Sequence, residues 1–193
     1  MMIRSRFLRS LGGMLVLVAA SASPTSAADS IEAKLQICGS CHGADGRPSD
    51  PTIPIIWGQQ QAYLEKQLKD YKSGQRDSQI MSSLAESLKN DELPQVAAVF
   101  AGKNWPHPSD GSAAKSPPDI ILACQTCHQA NFLGGVAAGE TAPRLAGQTR
   151  EYLVDAMRSF ADGERDNNAV MSALMKGLST ADLEAIARYL SSL

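Results

Sequence analysis

Apolar residues at i, i+3, i+4 and i+7 form the clearest pattern in this chain, and the pattern occurs twice. Leu93, Val96, Ala97 and Phe100 make the first stripe, and Leu183, Ile186, Ala187 and Leu190 make the second. Such a period predicts a helix with one buried face. Ser179 and Asp182 precede the second stripe at the spacing of a capping box. Upstream, Tyr63, Leu64, Leu68 and Tyr71 share one side of a helix predicted from about Gln60 to Tyr71, and Tyr152, Leu153, Ala156 and Phe160 share one side of its counterpart. Ile31, Leu35 and Cys38 predict a first helix over Ser30 to Gly39. Asp119, just after Pro117-Pro118, opens the matching one. No segment sustains the alternation of a strand, so the chain reads as all-α.

These elements are two copies of one unit. With Gly58-Gln59 set over Gly147-Gln148, Tyr63-Leu64 falls on Tyr152-Leu153, Tyr71 on Phe160, Gly74 on Gly163 and Arg76-Asp77 on Arg165-Asp166, all at an offset of 89. One extra residue enters near Asn167-Asn168, after which Met81-Ser82 falls on Met171-Ser172 at an offset of 90. So many unlike residue types in register mark a duplicated domain, not a many-unit solenoid. The stretch 104–118 is rich in Pro, Ser and Gly and shows no period; it reads as a linker, partly extended because of its prolines. The predicted organisation is a leader over 1–28, a first domain over 29–103, the linker, and a second domain over 119–193.

The leader has a basic start (Arg4, Arg6, Arg9), an apolar run from Leu11 to Ala20 and a small-residue cleavage site at Ser26-Ala27-Ala28, the layout of a secretory signal peptide. The run falls short of the roughly 20 residues that span a bilayer. Removing three Arg and no acid from 18 basic and 20 acidic residues leaves a mature chain of net charge −5. A mildly acidic exported protein is a poor nucleic-acid binder.

All four cysteines lie in two C-x-x-C-H motifs, Cys38-Gly39-Ser40-Cys41-His42 and Cys124-Gln125-Thr126-Cys127-His128. This is the attachment signature of a c-type haem, in which Cys38 and Cys41, or Cys124 and Cys127, form thioethers and His42 or His128 binds iron. A zinc ribbon would space its pairs by about 15–20 residues, whereas 82 residues separate Cys41 from Cys124. A thioredoxin-like role would need a βαβ context that a helical chain lacks.

The sixth iron ligand follows by elimination. The third histidine, His107, sits in the linker and could serve one haem at most. Outside the leader the methionines are Met81, Met157, Met171 and Met175. Met171 aligns with Met81, the one methionine of the first half, while Met157 aligns with Leu68 and Met175 with Ala85. Met81 and Met171 are therefore the candidate axial ligands, in loops that follow Gly74 and Gly163, with Met175 close by as an alternative. A thioether raises the reduction potential relative to a second imidazole; each methionine could instead be core. Pro54 and Pro143 align and could hold the proximal imidazoles or form plain turns. Arg76 and Arg165 could reach haem propionates or lie solvated. Tyr63 and Tyr152 are expected to line haem pockets, and Trp57 to shield a haem or to be core.

On these motifs, and on Pro143-Arg144-Leu145-Ala146-Gly147-Gln148, Gly74-Gln75-Arg76-Asp77 and Gly163-Glu164-Arg165-Asp166, the chain resembles the dihaem cytochromes c4 over its whole mature length. The resemblance implies two tandem class I cytochrome c domains, two covalent haem c groups with His–Met irons facing through their propionate edges, and a periplasmic carrier of electrons with no catalytic residues. The implied partners are redox proteins such as a membrane-bound oxidase, a cytochrome complex or a dehydrogenase, with peripheral membrane association as an option. The rival reading is an electron-accepting or catalytic dihaem subunit of a periplasmic dehydrogenase. Pro54-Ile55-Ile56-Trp57-Gly58-Gln59 departs from the family's P-x-L-A-G-Q.

Overall fold

The computed structural model describes residues 30–106, 116–137 and 139–193. The predicted signal segment, Asp29, His107 and the middle of the predicted linker lie outside the described residues. Four helices, α1 (Ile31–His42), α2 (Gln61–Ser73), α3 (Gln79–Ser87) and α4 (Glu92–Ala101), are followed by four counterparts, α5 (Ile121–His128), α6 (Arg150–Asp162), α7 (Ala169–Lys176) and α8 (Thr180–Ser191). A short antiparallel hairpin, β1 (Gly135–Ala137) with β2 (Glu140–Ala142), lies between α5 and α6. It falls where the second copy is three residues longer between its motif histidine and Gly147. A six-residue ladder is too short to leave a visible alternation in sequence.

Local chemistry sets the helix ends. Ser30 Oγ accepts from Ala33 N–H, and Ser179 with Asp182 makes both bonds of the capping box. α2 and α6 stop at Gly74 and Gly163, at φ 76° and 80°. A Cβ there would meet nothing within 4 Å, so left-handed backbone, not crowding, is what favours glycine. α5 begins at Ile121, with Asp119 in the preceding turn, where Pro118 O accepts from Ile121 N–H. The methionine stretches read as loops are helices: Ser78 Oγ accepts from Met81 N–H at 3.3 Å, and Asn168 Oδ1 from Met171 N–H at 2.9 Å. These N-caps place both methionines at the third position of a helix.

The two cores differ in size. Twelve buried residues, among them Phe132, Met157, Phe160, Met175 and Leu190, form that of the second half. Leu88, Leu93, Val96 and Phe100 form that of the first, with Trp57, Leu64 and Leu68 partly buried against it. One exchange of volume explains the departure at Trp57. Phe132 (φ 55°) and Ala146 of the second half occupy the repeat positions of Gly46 (φ 85°) and Trp57 in the first. A Cβ on Gly46 would come within 2.7 Å of the Trp57 indole. A large ring is thus supplied from opposite sides in the two halves, which conserves volume.

The halves meet about a pseudo-two-fold axis, and their glutamines exchange bonds across it. Gln148 Oε1 accepts from Ile55 N–H at 2.9 Å while Gln148 Nε2 donates to Ile55 O at 3.0 Å. Gln59 Oε1 accepts from Arg144 N–H at 2.7 Å, and Gln59 Nε2 donates to Arg144 O at 3.0 Å. Ile55 and Arg144 are equivalent in the repeat, as are Gln59 and Gln148. Behind them, Gly58 and Gly147 each donate N–H at 2.9 Å to the carbonyl of Phe100 or Leu190, securing each loop to the last helix of its own half. Gln148→Ala strands the buried amide of Ile55 and is expected to cost about 1–3 kcal/mol. Urea unfolding of the holoprotein measures it; a loss below a few tenths of a kcal/mol would mean the exchange is incidental.

Candidate metal centres

Each C-x-x-C-H motif ends a helix. Cys38, Cys41 and His42 stand at i, i+3 and i+4 in α1, as do Cys124, Cys127 and His128 in α5. That spacing brings two thiols and an imidazole to one helical face. No disulfide joins any of the four cysteines, which leaves each pair available for thioether bonds; before attachment, burial pushes the thiols of Cys38 and Cys124 up.

Both imidazoles are buried. His42 Nδ1 donates to Pro54 O at 2.8 Å, and His128 Nδ1 donates to Pro143 O at 3.0 Å. A carbonyl only accepts, so the proton sits on Nδ1 and Nε2 keeps its lone pair. Burial draws both imidazoles below the ordinary histidine range, against the pull of the proline carbonyls. The neutral ring with a free Nε2 is the form a metal binds. Pro54 and Pro143 therefore act on the imidazoles and are more than turns.

Met81 and Met171 are half-buried, one turn into α3 and α7, and Met171 packs at the edge of the second core. Met157 and Met175 are 7% and 4% exposed inside that core, and Ala85, the counterpart of Met175, is 0% exposed.

The two arginines are not solvated. Arg76 donates to Gln67 Oε1 at 2.8 Å and to Tyr152 OH of the other half at 3.4 Å. Arg165, buried, donates to Tyr63 OH at 3.2 Å and to Gln67 Oε1 at 2.9 Å. Their guanidiniums lie 4.7 Å and 4.2 Å from the ring centroids of Tyr71 and Phe160. Among the described residues neither is paired with a carboxylate. Burial opposes ionisation of Tyr152, yet the two guanidiniums outweigh it and draw its phenol below the ordinary tyrosine range. The junction is thus electropositive and fits anionic groups such as haem propionates, since buried charges call for counter-charges. Sequence reasoning missed the exchange of tyrosines between halves; matched Tyr and Arg positions carried a signal of symmetry but not of which half each arginine reaches. No three His, Cys, Asp or Glu side chains converge as a metal-holding group among the described residues. The residues fit c-type haem, one group in each half.

The family model for cytochrome c matches residues 120–193. Cytochrome c4 of Pseudomonas aeruginosa is 31% identical over 181 residues, which cover 84% of this chain and 86% of the relative. The chain belongs to the cytochrome c4 family. The solved structure of cytochrome c4 from Acidithiobacillus ferrooxidans superposes with a TM-score of 0.71 at 31% identity, covering 82% of this chain and 99% of that one. A thiosulfate dehydrogenase electron acceptor from Stutzerimonas stutzeri is 29% identical, covering 80% of this chain and 78% of its own length. As a cytochrome c4, the chain is a dihaem c-type cytochrome built from two class I cytochrome c domains, with two covalently attached haem c groups. The hairpin is an addition to an otherwise helical fold.

Proposed function

We propose that this cytochrome is an exported carrier of single electrons between respiratory-chain partners, with the units 29–103 and 119–193 joined by the strap 104–118. Cys38 and Cys41 hold one haem and Cys124 and Cys127 the other. His42 with Met81, and His128 with Met171, are the axial ligands. Bound haem supplies a ferrous–ferric couple; the chain's own residues set its potential and close it to other ligands. The single observation that carries this reading is the repeated pairing of a buried imidazole, its Nδ1–H spent on a proline carbonyl, with a methionine at the same capped helix position. The burial of Met175 in the core favours Met171 over it. Cleavage after Ala28 places the mature chain in the periplasm, and redox proteins such as an oxidase, a cytochrome complex or a dehydrogenase are its partners.

A second reading, the electron-accepting subunit of a periplasmic dehydrogenase, draws support from the likeness to the thiosulfate dehydrogenase electron acceptor. A catalytic role would call for an exchangeable iron position or a spare Cys ligand, and every cysteine lies in an attachment motif. The test is the mature protein itself: its mass should exceed that of the chain from residue 29 by two haems, its haemochrome spectrum should be of c type, and carbon monoxide and cyanide should bind slowly. A protein that takes up either ligand at once favours catalysis; one that carries no haem ends both readings.

A further inference from the structure

The surplus residue of the second copy makes a further lock between the two halves. Arg76-Asp77 match Arg165-Asp166 at an offset of 89, whereas the helix caps Ser78 and Asn168 match at 90. The residue without a counterpart is therefore Asn167. Both its side chain and its backbone reach the first half. Asn167 Nδ2 donates to Asp70 Oδ2 at 2.6 Å and to Gln67 Oε1 at 3.1 Å. Its carbonyl accepts from Lys66 Nζ at 3.0 Å. Asp70 and Gln67 are 4% and 7% exposed, so the bond to the Asp70 carboxylate is a charge-assisted one of the stronger kind at a buried partner, and the bond to Gln67 is a neutral one beside it. The next residue, Asn168, caps the helix that carries Met171. The arrangement is one-sided. Asp70 and Gln67 correspond to Ser159 and Ala156, which offer no buried carboxylate or amide to the first half.

We propose that Asn167 is a positioning residue that ties closure of Met171 over the second iron to a buried carboxylate of the first half, a tie with no counterpart ahead of Met81, where Arg76 reaches the other half only through Tyr152 OH at 3.4 Å. This rests on the axial assignment above. An incoming ligand gains the iron only through the population in which the methionine is open, and its apparent affinity scales with that population. Loss of one charge-assisted bond from the closed state raises that population on the order of tenfold.

The test is a titration of the ferric, full-length holoprotein with imidazole, followed through the Met–sulfur charge-transfer band. Asn167→Ala removes the side-chain bonds of the clamp from the second half, together with the bond that Asn167 Oδ1 accepts from Arg165 Nε at 2.9 Å, and leaves the carbonyl bond to Lys66. Asp70→Ser removes the clamp's carboxylate from the first half, along with its ion pair to Lys66, leaves the Arg165–Asn167 bond in place, copies the residue at the equivalent position, and serves if the other variant does not fold. In each, half of the band is expected to bleach at about tenfold lower imidazole, and the other half to titrate as in the unaltered protein. The sensitive half is the one already missing in Met171→Ala. Equal shifts of both halves, or a shift of neither, would overturn the clamp while leaving the ligands intact. A full band in Met171→Ala would instead overturn the ligand assignment, and the clamp with it.

Discussion

Replacing Cys38 and Cys41 together with alanine is expected to lower the covalent haem content from two groups per chain to one and to unfold most of α1 to α4. Without its thioethers the haem is held by a single imidazole and a thioether ligand, and is lost on purification. The fold then has little to stand on. A unit of about 75 residues buries only about 60% of its surface, and a core in a unit of that length rarely supplies more than about 3–5 kcal/mol. The first half has four residues in its buried cluster. The second has twelve, so the corresponding change at Cys124 and Cys127 should release its haem and leave more helix behind. Mass spectrometry counts the haems, and far-ultraviolet circular dichroism compares the helix lost in the two variants. Two covalent haems in either variant would refute the attachment sites, and equal helix loss in both would refute the argument from core size.

Replacing Met81 or Met171 with alanine is expected to lower the potential of one haem by a substantial share of the ~0.8 V over which axial ligands set haem potentials, and to remove half of the ferric Met–sulfur band. The cause is the ligand's softness. A neutral thioether favours ferrous iron; water or hydroxide in its place favours ferric. The N-caps argue that the helices themselves survive: Ser78 and Asn168 bond the backbone of the methionine, not its side chain, so alanine leaves these bonds in place. The loss should therefore be confined to one iron. Potentiometry of each variant reads two couples, one displaced and one near its original value. Two unmoved couples in Met171→Ala, with displacement in Met175→Ala, would transfer the role to Met175 against its burial in the core.

Much of the site was legible because it is written in short spacings. Two thiols and an imidazole at i, i+3 and i+4 share a helical face whatever surrounds them, and count and register single out Met81 and Met171 as the methionines proposed for the irons. The expectation that Met81 and Met171 lie in loops missed the caps one turn before them. Ser78 and Asn168 are ordinary polar residues until the chain on both sides of them is placed. Arg76 and Arg165 were open between a solvated and a buried role, because a lone arginine in sequence carries no mark of what it faces.

The chain alone settled the repeat, the helical faces and the two attachment motifs, since each depends on residues within a few positions of one another. Tertiary structure decided the trade of ring volume within each half, Trp57 with Gly46 against Ala146 with Phe132, and what lies across the pseudo-two-fold axis: the reciprocal bonds of Gln59 and Gln148, the crossing of each arginine to the other half's tyrosine, and the reach of Asn167 to Asp70. Partners 76 to 102 residues apart meet only when two finished cores pack together, and burial at that junction is what gives their hydrogen bonds weight.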